Sequence, residues 1–265
     1  MTTLTPINSP EAIQTRLVEG RIPRYGPMLM LFARSFFILF AQGITFLLFL
    51  QLNIPNASVV IRNWWPVYGT LVDFGCLGLL AWLTRRESIR LLDLVGFVKN
   101  KLKTEIPFGL GLFIVIAPVS IFGGGMLAQL IAYGRLNPVF PEYTFMRTLP
   151  LFALIYARIL WWPIWSVIEE MTYNGYALPR LVAITKSRWL SVTIVSFFFA
   201  IQHSFLMLAG FQFGLYMFLA FLPLSIAIVL VYLRIRRLPP LIIAHWLMDL
   251  SNVLFLYQVG TWSWR

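Results

Sequence analysis

The chain has 265 residues, of which 59% are hydrophobic and only 12% are charged. Soluble domains usually carry about 25% charged residues, so a soluble globule of this length could not bury so much apolar surface. The mean hydropathy is +0.79, and the apolar runs of about 18 residues or more are long enough to cross a bilayer. The composition therefore excludes a soluble enzyme, a disulfide-rich secreted scaffold and a disordered protein.

Seven apolar segments predict an all-α fold, a polytopic membrane bundle of about seven to eight transmembrane helices. They are too long and too continuously apolar for the strands of a membrane barrel. They cover residues 28–52, 66–83, 107–133, 148–178, 188–209, 211–233 and 239–260. Residues 1–27 are polar and predict an N-terminal cytoplasmic segment, and residues 28–265 predict the integral membrane domain.

The net charge of +11 predicts the orientation of the chain. With the N-terminus in the cytoplasm, most basic residues fall on the inside, which follows the positive-inside rule. The basic residues on the outside are Arg62, Arg135, Arg147 and Arg265. The charge is therefore a topology signal that also attracts anionic lipid heads, and we expect no nucleic-acid partner. A single cysteine and short loops favour a bacterial plasma membrane.

Two stretches outside the spans predict helices at the cytoplasmic face. Residues 9–20 begin with an N-cap serine, followed by a proline and an acid in the first turn. Residues 87–105 mix apolar residues with lysines, which is typical of a helix lying on the membrane surface. A solvated loop is the alternative for the second stretch.

A few ionisable side chains fall inside the predicted spans, where each costs several kcal/mol unless it is paired or hydrated. They are Arg34, Asp73, Arg158, Glu169, Glu170, His203, His245 and Asp249. Asp73 and Arg158 lie at similar depths in the outer half of the membrane. We expect them to form a structural ion pair away from the other residues.

Both histidines of the chain and three of these carboxylates predict a shared polar site. His245 and Asp249 are four residues apart and share a helix face. A glutamate such as Glu169 or Glu170 can deprotonate a water, and a histidine can stabilise or protonate a reacting group. Glu170, His203 and His245 could also bind zinc. These residue types fit an intramembrane hydrolase or a proton-coupled transporter.

Three motifs stand in order along the second half of the chain. Glu169–Asn174 reads EEMTYN, Phe199–His203 reads FAIQH, and His245–Asp249 reads HWLMD. They resemble the EExxxR, FxxxH and HxxxN or HxxxD motifs of the CPBP family of intramembrane proteases, which includes CAAX proteases and bacteriocin-processing enzymes. The resemblance covers about residues 145–260, which would form the catalytic core.

The resemblance implies an intramembrane endopeptidase. Glu169 or Glu170, with His203, would activate a water for attack on a peptide bond. His245 and Asp249 would complete the site by binding a metal or stabilising the oxyanion. A zinc-bound water and a metal-free, glutamate-activated water are equally open. The implied substrates are membrane-associated, either prenylated CAAX proteins or precursor peptides, cleaved near the cytoplasmic face.

One position departs from the family pattern, because Asn174 stands where the first motif has arginine. An amide cannot make the charge-assisted hydrogen bonds of a guanidinium. A non-catalytic membrane scaffold of the same family is therefore one alternative function, and Arg34 is the candidate replacement for the missing charge. A proton-coupled transporter is the other alternative, although the sequence shows no internal repeat.

Overall fold

The computed structural model describes residues 7–97, 99–134 and 147–259, and over these ranges the chain is a bundle of helices. The helices are α1 (Pro10–Val18), α2 (Gly26–Gln51), α3 (Ala57–Arg86), α4 (Leu102–Tyr133), α5 (Leu151–Thr185), α6 (Arg188–Phe205), α7 (Phe211–Ile235) and α8 (Pro239–Leu256). Within the described part, α2, α3, α4, α5 and α7 are long and apolar enough to cross a membrane.

The other two long helices, α6 and α8, lie among these five. Each has 18 residues, or about 27 Å at 1.5 Å per residue. Helix α6 packs against α7 and α2, and α8 packs against α4 and α5. The predicted helical membrane bundle is confirmed, whereas the total of seven to eight spans stays a prediction. The orientation also stays a prediction, and two of its outside residues, Arg135 and Arg265, lie beyond the described ranges.

A short pair of parallel strands joins the beginning of α5 to the end of α8. Strand β1 (Arg147–Leu149) pairs with β2 (Tyr257–Val259). Arg158 on α5 donates from Nη2 to the carbonyl oxygen of Tyr257 at 2.9 Å. The two ends of the half that carries the motifs are thereby held together, a feature that the sequence did not predict.

Helices α4 and α5 contain π-helical segments at Val119–Met126, Ala157–Trp161 and Met171–Ala177. In a π-helix each hydrogen bond spans five residues rather than four, and such segments often lie at functional sites. The third segment begins directly after Glu170. It therefore sets the direction of the side chains that follow the paired glutamates.

The predicted N-terminal helix is present as α1. Ser9 caps it, with its Oγ accepting from the backbone N–H of Ala12 at 3.2 Å, and Pro10 and Glu11 occupy the first turn. One face of α1 is buried against the last part of α5. The helix therefore docks on the protein rather than lying free on the membrane surface.

The predicted helix over residues 87–105 is wrong. The described part of this stretch forms two short 3₁₀ turns, Leu91–Leu94 and Lys99–Lys101, before α4 begins at Leu102. Ser88 and Gly96 have φ values of 58° and 66°. Such left-handed residues end a helix and reverse the chain, which the mixture of apolar residues and lysines does not reveal.

A buried cluster of charges, here called the anchor cluster, holds α1 to the bundle and consists of Arg16, Glu87 and Arg180. Glu87 accepts from Arg180 Nε at 2.6 Å and Nη2 at 2.7 Å, and from Arg16 Nε at 3.2 Å. Burial, together with the Arg180 charge, lowers the pKa of Arg16, and Glu87 offsets part of this effect. One carboxylate therefore serves two buried cations.

We expect Glu87→Ala to lower the free energy of unfolding by about 3–5 kcal/mol, because it leaves two buried arginines without a counter-charge. Thermal unfolding in detergent measures this loss. The control is Glu19→Ala, since Glu19 is 47% exposed in its ion pair with Arg21 and exposed pairs contribute little. Equal losses in the two variants would contradict the anchoring role.

Candidate active site

The five site residues predicted from the sequence come from three helices and meet inside the bundle. Glu169 and Glu170 end the α-helical part of α5 that precedes its last π-helical segment. His203 lies near the end of α6, and His245 and Asp249 lie one turn apart on α8. Both glutamates are fully buried, and the two histidines are 5% and 6% exposed. The structure therefore brings all five side chains together.

The Glu169 carboxylate lies between the two imidazole rings. Its Oε1 is 3.9 Å from His203 Nε2, and its Oε2 is 3.9 Å from His245 Nε2. These distances are too long for direct hydrogen bonds. Two groups at this separation can be bridged by one water that lies beside the line joining them, about 2.8 Å from each. The geometry thus supports one water shared by a carboxylate and an imidazole.

Glu170 has different partners. Its Oε2 accepts from Asn174 Nδ2 at 2.8 Å, and its Oε1 lies 3.1 Å from His245 Nδ1. Adjacent residues on a helix point about 100° apart, so the two carboxylates face different groups. Asn174, the departure from the family motif, therefore holds the glutamate that orients His245.

Two contacts fix the His203 ring. Its Nδ1 is 2.7 Å from the carbonyl oxygen of Phe199, and the ring stacks on Phe221 with centroids 3.6 Å apart. A carbonyl oxygen can only accept, so Nδ1 carries the proton of this hydrogen bond. Nε2 is consequently the nitrogen that faces Glu169. Phe199 takes part in the second motif through its backbone.

Ser166 joins the site through Asp249, and the sequence analysis missed it. Asp249 Oδ2 lies 3.6 Å from His245 Nε2, and Ser166 Oγ donates to the same oxygen at 2.5 Å. Ser166 is fully buried on α5. A single serine in an apolar span carries no distinctive signal, because it can satisfy its hydroxyl on its own helix.

Arg34 on α2 places a fixed positive charge beside Glu169. Its Nη2 is 3.5 Å from Glu169 Oε2, and its Nε donates to Gln202 Oε1 at 2.8 Å. Gln202 in turn donates from Nε2 to Glu169 Oε1. The guanidinium lies 4.3 Å from the ring centroid of Trp165. Gln202 was also missed, although a buried amide beside His203 in an apolar span is a signal that could have identified it.

The predicted ion pair of Asp73 with Arg158 is wrong. Asp73 Oδ1 lies 3.8 Å from Arg34 Nη1, whereas Arg158 donates to the Tyr257 carbonyl oxygen. Helix α3 begins at Ala57 instead of residue 66, so Asp73 lies about 24 Å along it rather than near its outer end. This depth brings Asp73 to Arg34 and connects it to the site.

The alternative zinc ligands, Glu170, His203 and His245, do not face one point. His245 turns Nδ1 to Glu170, while Nε2 of each histidine faces Glu169. Across the described ranges, no three His, Cys, Asp or Glu side chains are arranged to hold a metal ion. The Arg34 charge near Glu169 also opposes a cation there. The side chains present do not fit zinc.

We expect Arg34→Gln to lower the free energy of unfolding by about 3–5 kcal/mol, because it leaves Glu169 and Asp73 buried without their cation. Denaturant unfolding in detergent measures the loss. Asp73→Asn should then destabilise the Arg34→Gln protein less than it destabilises the wild type, since residues in contact are not additive. Strictly additive losses would show that these side chains do not interact.

Residues 150–251 match the family model described as type II CAAX prenyl endopeptidase Rce1-like. This range, hereafter the matched segment, runs from α5 into α8 and contains all five site residues. The matched segment is similar to this endopeptidase family, and the match confirms the resemblance to CAAX proteases. Arg34 and Asp73 lie outside it. No curated protein and no solved structure gives a significant match to the chain.

Proposed function

We propose that this chain is an intramembrane endopeptidase in which Glu169, with His203, activates a water for attack on a peptide bond. The observation that carries the proposal is the buried Glu169 carboxylate, which lies 3.9 Å from Nε2 of both histidines. The similarity of the matched segment to a CAAX endopeptidase family supports the reaction class.

In the first step, a water between Glu169 and His203 gives a proton to the carboxylate while its oxygen attacks the peptide carbonyl carbon. The hydrogen bond from His203 Nδ1 to Phe199 leaves Nε2 free to orient this water. A positioned general base contributes about 10²- to 10⁴-fold to the rate. No metal ion takes part in this step.

His245 is placed to stabilise the tetrahedral intermediate. With a proton on each nitrogen, it donates from Nδ1 to Glu170 and from Nε2 to the oxyanion. Asp249, oriented by Ser166, balances the imidazolium charge. The carbon–nitrogen bond then breaks, and the proton held by Glu169 passes to the leaving amine.

Arg34 is proposed to supply the guanidinium that the first motif lacks at Asn174. A carboxylate in an apolar bundle stays ionised only when a counter-charge or several donors surround it. Arg34 and Gln202 provide both for Glu169. This arrangement favours an active enzyme over a non-catalytic scaffold, because a scaffold has no need of an ionised carboxylate between two imidazoles.

We propose a membrane-associated peptide as the substrate, either the C-terminal region of a prenylated CAAX protein or a precursor peptide. The family description supports the first class. The basic residues of the predicted inner loops support cleavage near the cytoplasmic face of a bacterial plasma membrane. Residues 1–27 would then form the cytoplasmic segment and residues 28–265 the membrane domain, with the catalytic core at about 145–260.

We expect Glu169→Gln to reduce peptide cleavage by about 10²- to 10⁴-fold, because the amide keeps the shape of the side chain and removes the proton acceptor. The assay uses purified protein with a prenylated CAAX peptide and a precursor peptide. The control is Glu105→Gln, since Glu105 is equally buried but pairs with Arg237 at 2.7 Å. Unchanged cleavage by Glu169→Gln would reject the mechanism.

We expect His203→Ala and His245→Ala to be comparably damaging, and Asp249→Asn to be milder because the family motif also allows asparagine there. The double variant Glu169→Gln/His203→Ala should lose little beyond the worse single variant, since groups that act as one unit are not additive. If the loss of cleavage rate in the double variant equals the product of the two single losses, the two side chains act in separate steps.

Two other outcomes, one in the cleavage assay and one in a transport assay, would favour the alternative functions. No cleavage of either peptide by the wild type would favour the scaffold, with Asn174 as its reason. Proton-dependent transport in proteoliposomes that these site variants abolish, without any proteolysis, would favour the transporter.

A further inference from the structure

The N-terminal segment contacts the π-helical turn of the candidate active site. Asn8 Nδ2 donates to the carbonyl oxygen of Gly175 at 2.9 Å. Arg180 Nη1 donates to the same oxygen at 3.2 Å and to the Tyr176 carbonyl oxygen at 3.1 Å. The turn, Met171–Ala177, begins directly after Glu170. Asn8, which is 167 positions from Gly175 in the sequence, therefore contacts the backbone of the turn that follows the paired glutamates.

The Gly175 carbonyl lies where the π-helical turn passes into the α-helical part that begins at Leu178. An α-helical donor to this carbonyl would come from residue 179, and Pro179 has no N–H. Asn8 and Arg180 supply side-chain N–H groups to the carbonyl at this change from π-helix to α-helix.

The contact is held rigidly from both sides. Asn8 lies just before α1, which the anchor cluster fixes to the bundle. Gly175 is packed so closely that a Cβ atom there would lie 3.0 Å from Leu238 Cδ1 and 3.3 Å from the Leu94 carbonyl oxygen. Neither the donor nor the turn can therefore shift without disturbing its neighbours.

We propose that Asn8 is a positioning residue of the active site. It donates to the Gly175 carbonyl oxygen and so fixes the turn that carries Asn174. Asn174 holds Glu170, and Glu170 orients His245. The proposal rests on the function proposed above, because it assigns Asn8 an effect on the catalytic step through His245. Asn8 itself touches no reacting group.

The first test is Asn8→Leu, which keeps the approximate shape of the side chain and removes the donor. We expect kcat for the peptide substrate to fall about 5-fold, the scale of one lost hydrogen bond, with KM unchanged. The control is Thr15→Ala, which removes an exposed hydrogen bond within the same segment, from Thr15 Oγ1 to the Glu11 carbonyl oxygen. Wild-type kcat in Asn8→Leu, or equal losses in both variants, would overturn the proposal.

The second test repeats Asn8→Leu in an Asn174→Ala background, with Asn174→Ala alone as the reference. Asn174→Ala removes the hydrogen bond through which the turn holds Glu170. We expect the effect of Asn8→Leu on kcat to fall below about 2-fold in this background. A merely structural role of Asn8 in docking α1 predicts the same loss in both backgrounds, and that result would overturn the proposal.

The third test does not depend on activity. The chain contains only two histidines, so isotope-labelled histidine gives ring NMR signals of His203 and His245 alone. We expect Asn8→Leu to shift the His245 signals, to leave those of His203 in place, and to lose this effect in the Asn174→Ala background. Unchanged His245 signals would overturn the proposal even if the wild type cleaves peptides. A wild type that cleaves neither peptide, with the expected shift present, would refute the proposed function and keep the positioning role.

Discussion

A carboxylate buried in an apolar bundle must find its counter-charge and its hydrogen-bond donors inside the protein, and the rest of this site follows from how Glu169 meets that requirement. Its cation comes from α2, its amide donor from α6, and its imidazole neighbours from α6 and α8. Three helices are thereby fixed around one side chain of α5. The matched segment provides the candidate catalytic side chains, and α2 provides the guanidinium beside them.

The described structure contains two buried ionic clusters, one with more guanidinium groups than carboxylates and one with more carboxylates than guanidinium groups. In the anchor cluster, one carboxylate serves two guanidinium groups. Beside the candidate active site, one guanidinium lies within 4 Å of two carboxylates, Glu169 and Asp73. The excess of cations lies where α1 docks, and the excess of carboxylates lies beside the two histidines.

The sequence predicted the parts of this protein that depend on composition and on local pattern. Apolar runs located the long helices, and polar residues in those runs identified the side chains that meet at Glu169. Ser9 and its neighbours indicated α1, because capping is a local effect. The three motifs together indicated the family whose model the matched segment resembles.

The failures concern interactions between distant parts of the chain. The predicted pairing of Asp73 with Arg158 was wrong because the depth of Asp73 was counted from residue 66, whereas α3 begins at Ala57. The role of Gln202 depends on Arg34, which lies on another helix, and no pattern within α6 encodes that contact. The breaks at Ser88 and Gly96 are single backbone conformations. Strands of three residues are likewise too short to leave a readable alternation.

The parallel pairing of β1 with β2 brings together the two ends of the half of the chain that carries the motifs. It holds the backbone before α5 beside the backbone after α8, at the roughly 4.8 Å spacing of paired strands. Neighbouring ends are the condition under which a circularly permuted chain keeps its fold. The order of α5 to α8 along the sequence could therefore be rearranged without moving the site residues, provided that the helix carrying Arg34 still packs beside them.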